Sequence, residues 1–382
     1  MSNVDLDRLD DLEGLAKTDP QDMLRAVATS AAQVRSAVQA TVDADLRPLD
    51  LDARPRAVVV TGMGGSAISG DVLSAVAGLG APVPIVVHRG YGLPAWVGAA
   101  DLVIAVSCSG ATAETLSATS EATRRGTRLL AVSSADSALQ AEALSRGGAF
   151  IPVTKVLSPR SSLWAMVVPL LMVGARMRLL DLGTDDAHLE AAAVQLESTA
   201  QLCGPDRESY VNPAKMLAAE LANTLPMIWG SGPLGPVAAL RAASQIAENA
   251  KLPAVFGALP EANHQQVVTF DGPLAGRHAD EDLFRDRVDE DEPLRLRLLI
   301  VRDDTDEVAA HRADASANVA AGRGVAVSVL TAQGTSAVER LASMIGVVDY
   351  ASVYLGLANG IDPTPIAPID DLKRAMAASP YA

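Results

Sequence analysis

Short, largely apolar runs recur along the chain. Each leads into a turn of small residues and then a stretch with apolar positions every three to four residues. The runs fall at 57–60, 83–87, 101–106, 128–132 and 149–153, and again at 226–229, 294–301 and 324–330. Largely apolar runs of this length suit strands buried on both faces, and the helical period between them suits crossover helices. The pattern predicts an α/β fold of two doubly wound parallel sheets. Helices are expected near 67–77, 112–125, 136–146 and 163–180, then from about 235 to 251, and over 304–321 and 335–358. Ahead of the first strand, Thr18-Asp19-Pro20-Gln21 opens a helix with Met23, Val27, Ala31 and Val34 on one face, an N-terminal helical arm. The turn Gly230-Ser231-Gly232 after the 226–229 run echoes Gly62-Met63-Gly64-Gly65-Ser66 after 57–60, so the second half repeats the first. The expected division is an arm over 1–50, a first domain over 51–205 and a second over 206–382 with a C-terminal helix. The more polar stretch 183–212 connects the domains, and the cut falls near Pro205.

The 382 residues suffice for about two domains with sizeable cores. Aromatics are only 3% while hydrophobic residues reach 49%, so the cores must rest on Ala, Val and Leu. The net charge of −15 argues against nucleic acid as a partner, and an anionic substrate then needs locally placed cations. The two cysteines, Cys108 and Cys203, form neither a disulfide framework nor a metal cluster, and no His spacing offers a metal site. An acidic start without a signal-peptide pattern, together with this cysteine usage, leads us to expect a cytoplasmic protein. Arg176 and Arg178 interrupt the apolar stretch 163–180, which therefore reads as a buried helix and not a membrane span. The stretch 271–292 carries nine acidic and three basic side chains, a solvated excursion that contains His278.

Candidate chemistry begins at Ser107-Cys108-Ser109-Gly110-Ala111-Thr112-Ala113-Glu114-Thr115, between a buried strand and a helix. The hydroxyls of Ser107, Ser109 and Thr112 can converge at the positive end of a helix dipole, which suits a phosphate. Spacing alone equally allows an ordinary capped helix. No Lys follows in the Walker A position, so a nucleoside triphosphate is disfavoured. Gly62-x-Gly64-Gly65 permits close backbone approach to a ligand. It lacks the dinucleotide spacing, and the next strand ends in His88-Arg89 where an acidic residue would be wanted, so nicotinamide is disfavoured. Arg160, after Ser158-Pro159 at a helix entrance, is either a surface cation or a fixed guanidinium facing an oxyanion. Glu248 in Glu248-Asn249-Ala250-Lys251 is either a helix-surface carboxylate near Lys251 or a general base facing a cleft. His264 in Glu261-Ala262-Asn263-His264 could be a hydrogen-bonded core residue, and Lys373 on the C-terminal helix a solvated cation.

Taken together, these segments resemble a known family. The serine loop is similar to the S-x-S-G-x-T-x-E-T signature of the sugar isomerase (SIS) fold. Over roughly 55–378, the glycine loop, the serine loop, Ser158-Pro-Arg160, Glu248-Asn-Ala-Lys251, Glu261-Ala-Asn-His264 and Asp362-Pro-Thr-Pro365 through Lys373 resemble, in order, the bifunctional phosphoglucose/phosphomannose isomerases of that superfamily. Ala111 departs from the commoner Asn, and the acidic 271–292 connection is longer than usual. The resemblance implies two SIS domains with flavodoxin-like strand order. It implies a hexose 6-phosphate held by Ser107, Ser109 and Thr112 with Gly64, Gly65 and Ser66 alongside. Glu248 would be the base, Arg160 the oxyanion's cation, and His264 and Lys373 the ring-opening groups. It further implies no cofactor, no metal and no membrane, and a homodimer with His264 supplied to the partner's site. The rival expectations are a non-catalytic phosphosugar sensor, which would not need Glu248, His264, Arg160 and Lys373 together, and an isomerase of another phosphosugar. A glutamine-dependent synthase is disfavoured, since no Cys follows Met1.

Overall fold

A computed structural model describes residues 6–182, 186–275 and 294–377. The N-terminal arm is three helices, α1 (Leu12–Thr18), α2 (Met23–Ala28) and α3 (Ser30–Asp43). The buried Asp19 carboxylate accepts the amides of Met23 and Leu24 at 2.8 and 3.0 Å and so starts α2. Thr29 ends it, its hydroxyl donating to the Ala26 carbonyl at 2.7 Å. The single helix expected over this stretch is thus two, yet Met23, Val27, Ala31 and Val34 are all buried, because the break keeps the apolar stripe on one side.

The first half then alternates β1 (Val58–Thr61), α4 (Gly65–Ala77), β2 (Ile85–His88), β3 (Leu102–Ser107), α5 (Ala113–Arg124), β4 (Arg128–Ser133), α6 (Ala138–Leu144) and β5 (Ala149–Pro152). Its five-stranded sheet has the order β2-β1-β3-β4-β5, parallel throughout, which is the flavodoxin-like order. The order reverses between β1 and β3, where Thr61 pairs with Ala105, so the glycine turn after β1 and the serine turn after β3 open side by side. Ligands bind at such a switch point, beyond the carboxyl ends of the strands.

α7 (Leu163–Arg176) and α8 (Ala187–Cys203) lead past Pro205 to α9 (Pro213–Leu221). The second half contains β6 (Thr224–Ser231), α10 (Gly235–Gln245), β7 (Val255–Ala258), β8 (Arg295–Arg302), α11 (Glu307–Gly322), β9 (Ala326–Thr331), α12 (Ala337–Ala358) and α13 (Ala367–Ala377). Its parallel sheet runs β7-β6-β8-β9, the same winding sense as the first. β7 was not expected. It is a four-residue edge strand with only Gly257 buried, and its apolar residues enclose that glycine and follow Pro253, so they do not stand out as a strand. Most of the acidic 271–292 stretch, with His278, lies outside the described residues.

One apolar core passes through both halves, joining Val58 and Leu73 with Val168 of α7, Ala242 of α10 and Tyr354 of α12. α12 is 22 residues long and apolar enough to cross a membrane by length and composition, but it is almost wholly buried inside the fold, as a core helix is. Its start is fixed by a capping box between Ser336 and Glu339. The arm is tied in by the buried Lys215, whose ammonium donates to Asp10 at 3.1 Å and to the carbonyls of Pro205 and Arg207. The packed junction of the halves matters because the candidate site is built across it.

Candidate active site

The serine turn folds onto itself. Ser107 Oγ lies 2.9 Å from Thr112 Oγ1 and 3.5 Å from Ser109 Oγ. The amides of Gly110 and Ala111 donate to Ser107 Oγ and Ser109 Oγ at 3.1 and 3.3 Å. Thr112 occupies the N-cap of α5, but its hydroxyl faces Ser107 and makes no cap bond. The first-turn amides of α5 therefore keep their partial positive charge beside three converging hydroxyls. Across the switch point, Gly64 has φ +53°, a backbone setting that side chains resist, and a Cβ there would meet nothing within 4 Å. Open space lies above it. Gly65 closes toward the second half: a Cβ on it would lie 3.6 Å from the Pro159 carbonyl, 3.8 Å from Arg160 Cα and 3.9 Å from Arg241 Nη1. Ser66 is different. Its buried hydroxyl accepts the Cys108 amide at 3.3 Å and lies 3.3 Å from the Met166 sulfur, so it ties the glycine turn to the serine turn.

Arg160 stands in a buried turn between β5 and α7, and its side chain is 2% exposed. Gln33 of the arm supports that turn, its amide donating to the Ser161 carbonyl at 2.7 Å. The guanidinium reaches into the second half. Nε donates to Asn249 Oδ1 at 2.7 Å, and Nη2 donates to the carbonyls of Pro363 and Thr364 at 2.7 and 2.9 Å. That leaves Nη1 facing Glu248 Oε2 at 3.6 Å. Burial pulls the Arg160 pKa below its ordinary value, the Glu248 charge opposes this, and Arg241 adds to it. Arginine is the cation able to keep its charge under such burial.

Glu248 owes its place to an irregularity. α10 widens at its end into a π-turn over Ile246–Ala250, a geometry frequent at functional sites, and Lys251 stops it with φ +57°. Lys251 Nζ donates to the Glu248 carbonyl at 2.5 Å and to that of Pro363 at 2.9 Å. Burial and the neighbouring Arg160 charge lower the Lys251 pKa. Glu248 is 30% exposed, so a proton donor can reach its carboxylate while Arg160 is sealed beneath. A carboxylate of this kind can accept a proton from carbon while the adjacent cations hold the oxyanion that results.

The comparisons with known proteins bear on this arrangement. A family model described as the bacterial phospho-glucose isomerase C-terminal SIS domain matches residues 210–376. A bifunctional phosphoglucose/phosphomannose isomerase of Caldicellulosiruptor bescii is 33% identical over 322 residues, covering 84% of this chain and 89% of that protein. The chain belongs to the bifunctional phosphoglucose/phosphomannose isomerase family. Another bearer of that family name, from Aquifex aeolicus, is 30% identical over 84% of this chain and 90% of its own. Among solved structures, a hypothetical protein from Thermus thermophilus shares the fold with a TM-score of 0.66 and 16% identity, covering 98% of this chain and 95% of that one.

Two residues singled out in this isomerase-family sequence are not gathered with the rest. His264 ends a short helical turn over Glu261–His264, where its ring is exposed and hydrogen-bonded to no described residue. Lys373 lies on α13, whose described side chains are all exposed, past the Pro363 and Thr364 carbonyls that hold Arg160. Conversely, Asn249, Lys251 and the two carbonyls join the site, and so does Arg241, whose side chain is fully buried against Asp349. A charged residue set in the apolar stretch Val237-Ala-Ala-Leu-Arg241-Ala-Ala, and another in Val347-Val-Asp349-Tyr, were the available signals for that pair.

Proposed function

We propose that the chain is a metal-independent aldose–ketose isomerase that interconverts glucose 6-phosphate and mannose 6-phosphate with fructose 6-phosphate. The observation that carries this reading is the partly exposed Glu248 carboxylate 3.6 Å from the buried Arg160 guanidinium, with a glycine turn and a hydroxyl-rich turn opening side by side at the strand switch point. The names of the relatives from C. bescii and A. aeolicus support the same sugars.

The sugar phosphate is held by Ser107, Ser109 and Thr112, with the Gly64 and Gly65 backbone alongside. That anchor fixes the reacting carbons. Glu248 takes the proton from C2 of the opened aldose and returns it to C1, so one carboxylate serves both directions. The cis-enediolate between them carries its negative oxygen against Arg160. Glucose and mannose 6-phosphates differ only at C2, which becomes planar in that intermediate, so one site processes both. His264 opens the pyranose ring and is provided by a second copy of the chain in a homodimer. Its exposed ring, bonded to no described residue and carried on the turn that follows β7, suits that role, and Lys373 assists from α13. Ser66 belongs to the phosphate site through its place in the loop, its hydroxyl already serving to join the two turns.

The test is formation of fructose 6-phosphate from each aldose with a chelator present. Turnover of both sugars is expected. Tight binding of both without turnover would overturn the enzyme and leave a phosphosugar sensor. Truncating the anchor has a separate signature. Ser107→Ala with Thr112→Val removes two hydroxyls, each worth about 1 kcal/mol or more to a charged acceptor, and KM for both sugars is expected to rise about 10–100-fold. An unchanged KM would remove this loop from the phosphate site.

A further inference from the structure

Beneath Arg160 lies a buried charged pair that the isomerisation chemistry does not use. Arg241, on α10, is 1% exposed, and its Nε and Nη2 grip both oxygens of Asp349 on α12 at 2.8 and 3.0 Å. The same Nη2 donates to the backbone carbonyl of Arg160 at 2.5 Å, and Nη1 lies against Gly65. One turn along α12, Ser352 Oγ donates to the Asp349 carbonyl at 2.7 Å and accepts from Asn249 Nδ2 at 2.9 Å. Asn249 in turn receives Arg160 Nε at 2.7 Å. A single turn of α12 thus holds Arg160 twice, by its backbone through Arg241 and by its side chain through Asn249.

We infer that Arg241, clamped by Asp349, is a positioning residue that sets Arg160 and the glycine turn against Glu248 across the junction of the two halves. The physical case rests on the cost of the alternative. A buried ion pair seldom stabilises a fold more than well-packed apolar residues would. Here the guanidinium also spends a donor on a main-chain carbonyl of the very residue that must face an oxyanion. Pro159, Arg160 and Arg241 all face Gly65, while the hydroxyls of the serine turn are held by hydrogen bonds of their own, so a shift of Arg160 leaves the main phosphate anchor in place. Displacement of about 1 Å in such a group is enough to lower turnover on the order of 100-fold.

The inference rests on the proposed role of Arg160, so the experiment must fail separately from that reading. Arg241→Met alone leaves Asp349 buried and unpaired, and both Tm and kcat are expected to fall. Arg241→Met with Asp349→Leu removes both charges together, so Tm is expected to recover. In the double variant kcat is expected to stay about 100-fold low, with KM for both sugars within about two-fold of the unmodified protein. Recovery of kcat along with Tm would reduce the pair to a structural contact and overturn the inference. Should the double variant not fold, Arg241→Lys carries the same test. It keeps a charge opposite Asp349 but cannot also reach the Arg160 carbonyl, so unchanged kcat would overturn the inference and a loss with retained Tm would support it. Binding gives a readout without turnover. A five-carbon aldonate 5-phosphate, whose carboxylate copies the enediolate charge, is expected to bind the variants about 10–100-fold more weakly, while inorganic phosphate binds as before. If the unmodified protein turns over neither sugar, the isomerase reading fails, and this difference in affinities still decides the placement of Arg160. Equal affinity of variant and unmodified protein for the aldonate would sink it.

Discussion

Glu248→Gln is expected to abolish interconversion of both sugars, lowering kcat by about 10²–10⁴-fold, the range that a general base contributes. The amide has the shape of the carboxylate and cannot accept a proton from carbon. Little else should change. Arg160 keeps three oxygen acceptors in Asn249 Oδ1 and the Pro363 and Thr364 carbonyls, so loss of the Glu248 charge does not strand it. Glu248 itself is partly exposed, which limits its share in stability. Tm and the affinity for inorganic phosphate should therefore match the unmodified protein. A second readout separates chemistry from binding. In deuterated water the unmodified protein should exchange the C1 and C2 hydrogens of its substrates, and the variant should not. Exchange that persists in Glu248→Gln would assign the base to another residue.

That prediction was within reach of the sequence, because its residues lie in short local patterns. A parallel strand buried on both faces must be an apolar run, and the hydroxyl turn after 102–107 is contiguous, so the serine loop was legible before any coordinates. β7 was not, since its four largely unburied residues are apolar but enclose a glycine and follow Pro253, both of which speak against a strand. The break of the arm at Thr29 was hidden for the opposite reason: the apolar stripe continues through it. The grip on Arg160 could not be read at all. Its partners are 89 residues away in Asn249 and more than 200 away in the carbonyls of Pro363 and Thr364, and a carbonyl has no side-chain signature. Glu248 could be named as a carboxylate near Lys251, but only the π-turn turns it toward Arg160 and sets the Lys251 ammonium on its carbonyl. For His264 and Lys373 a sequence pattern survives without a gathered geometry, since both are exposed in a single chain.

Arg160→Lys tests the other half of the chemistry, and its effect should be nearly as large. The guanidinium makes its contacts through a planar fork: one nitrogen to Asn249, one shared by two carbonyls and one toward Glu248. A compact ammonium on a flexible stem cannot span those directions at once. Loss of a fixed cation at a developing oxyanion is expected to lower kcat about 10²–10³-fold for both aldoses alike, because they share one enediolate. Tm should fall too, since the buried Asn249 Oδ1 or the Thr364 carbonyl loses its donor, while Pro363 keeps Lys251. The pH profile then distinguishes loss of geometry from loss of charge. Burial lowers the proton affinity of Arg160, but an arginine starts so high that it stays charged across any assay range. An ammonium starts from 10.5, and at this spot it would meet the same burial and the same Arg241 charge; Lys251 next door is already lowered by burial and by Arg160. Burial and the Arg241 charge favour the neutral amine and at Arg160 outweigh the opposing Glu248 and Asp362 carboxylates, so the charged form persists only at lower pH. Residual activity of Arg160→Lys should thus decline as pH rises from about 7 toward about 10, a decline that the unmodified protein does not owe to this group. Residual kcat that stays level over that interval would mean that the cation at this position does not carry the oxyanion, and the stabilising charge would have to be sought in Lys251.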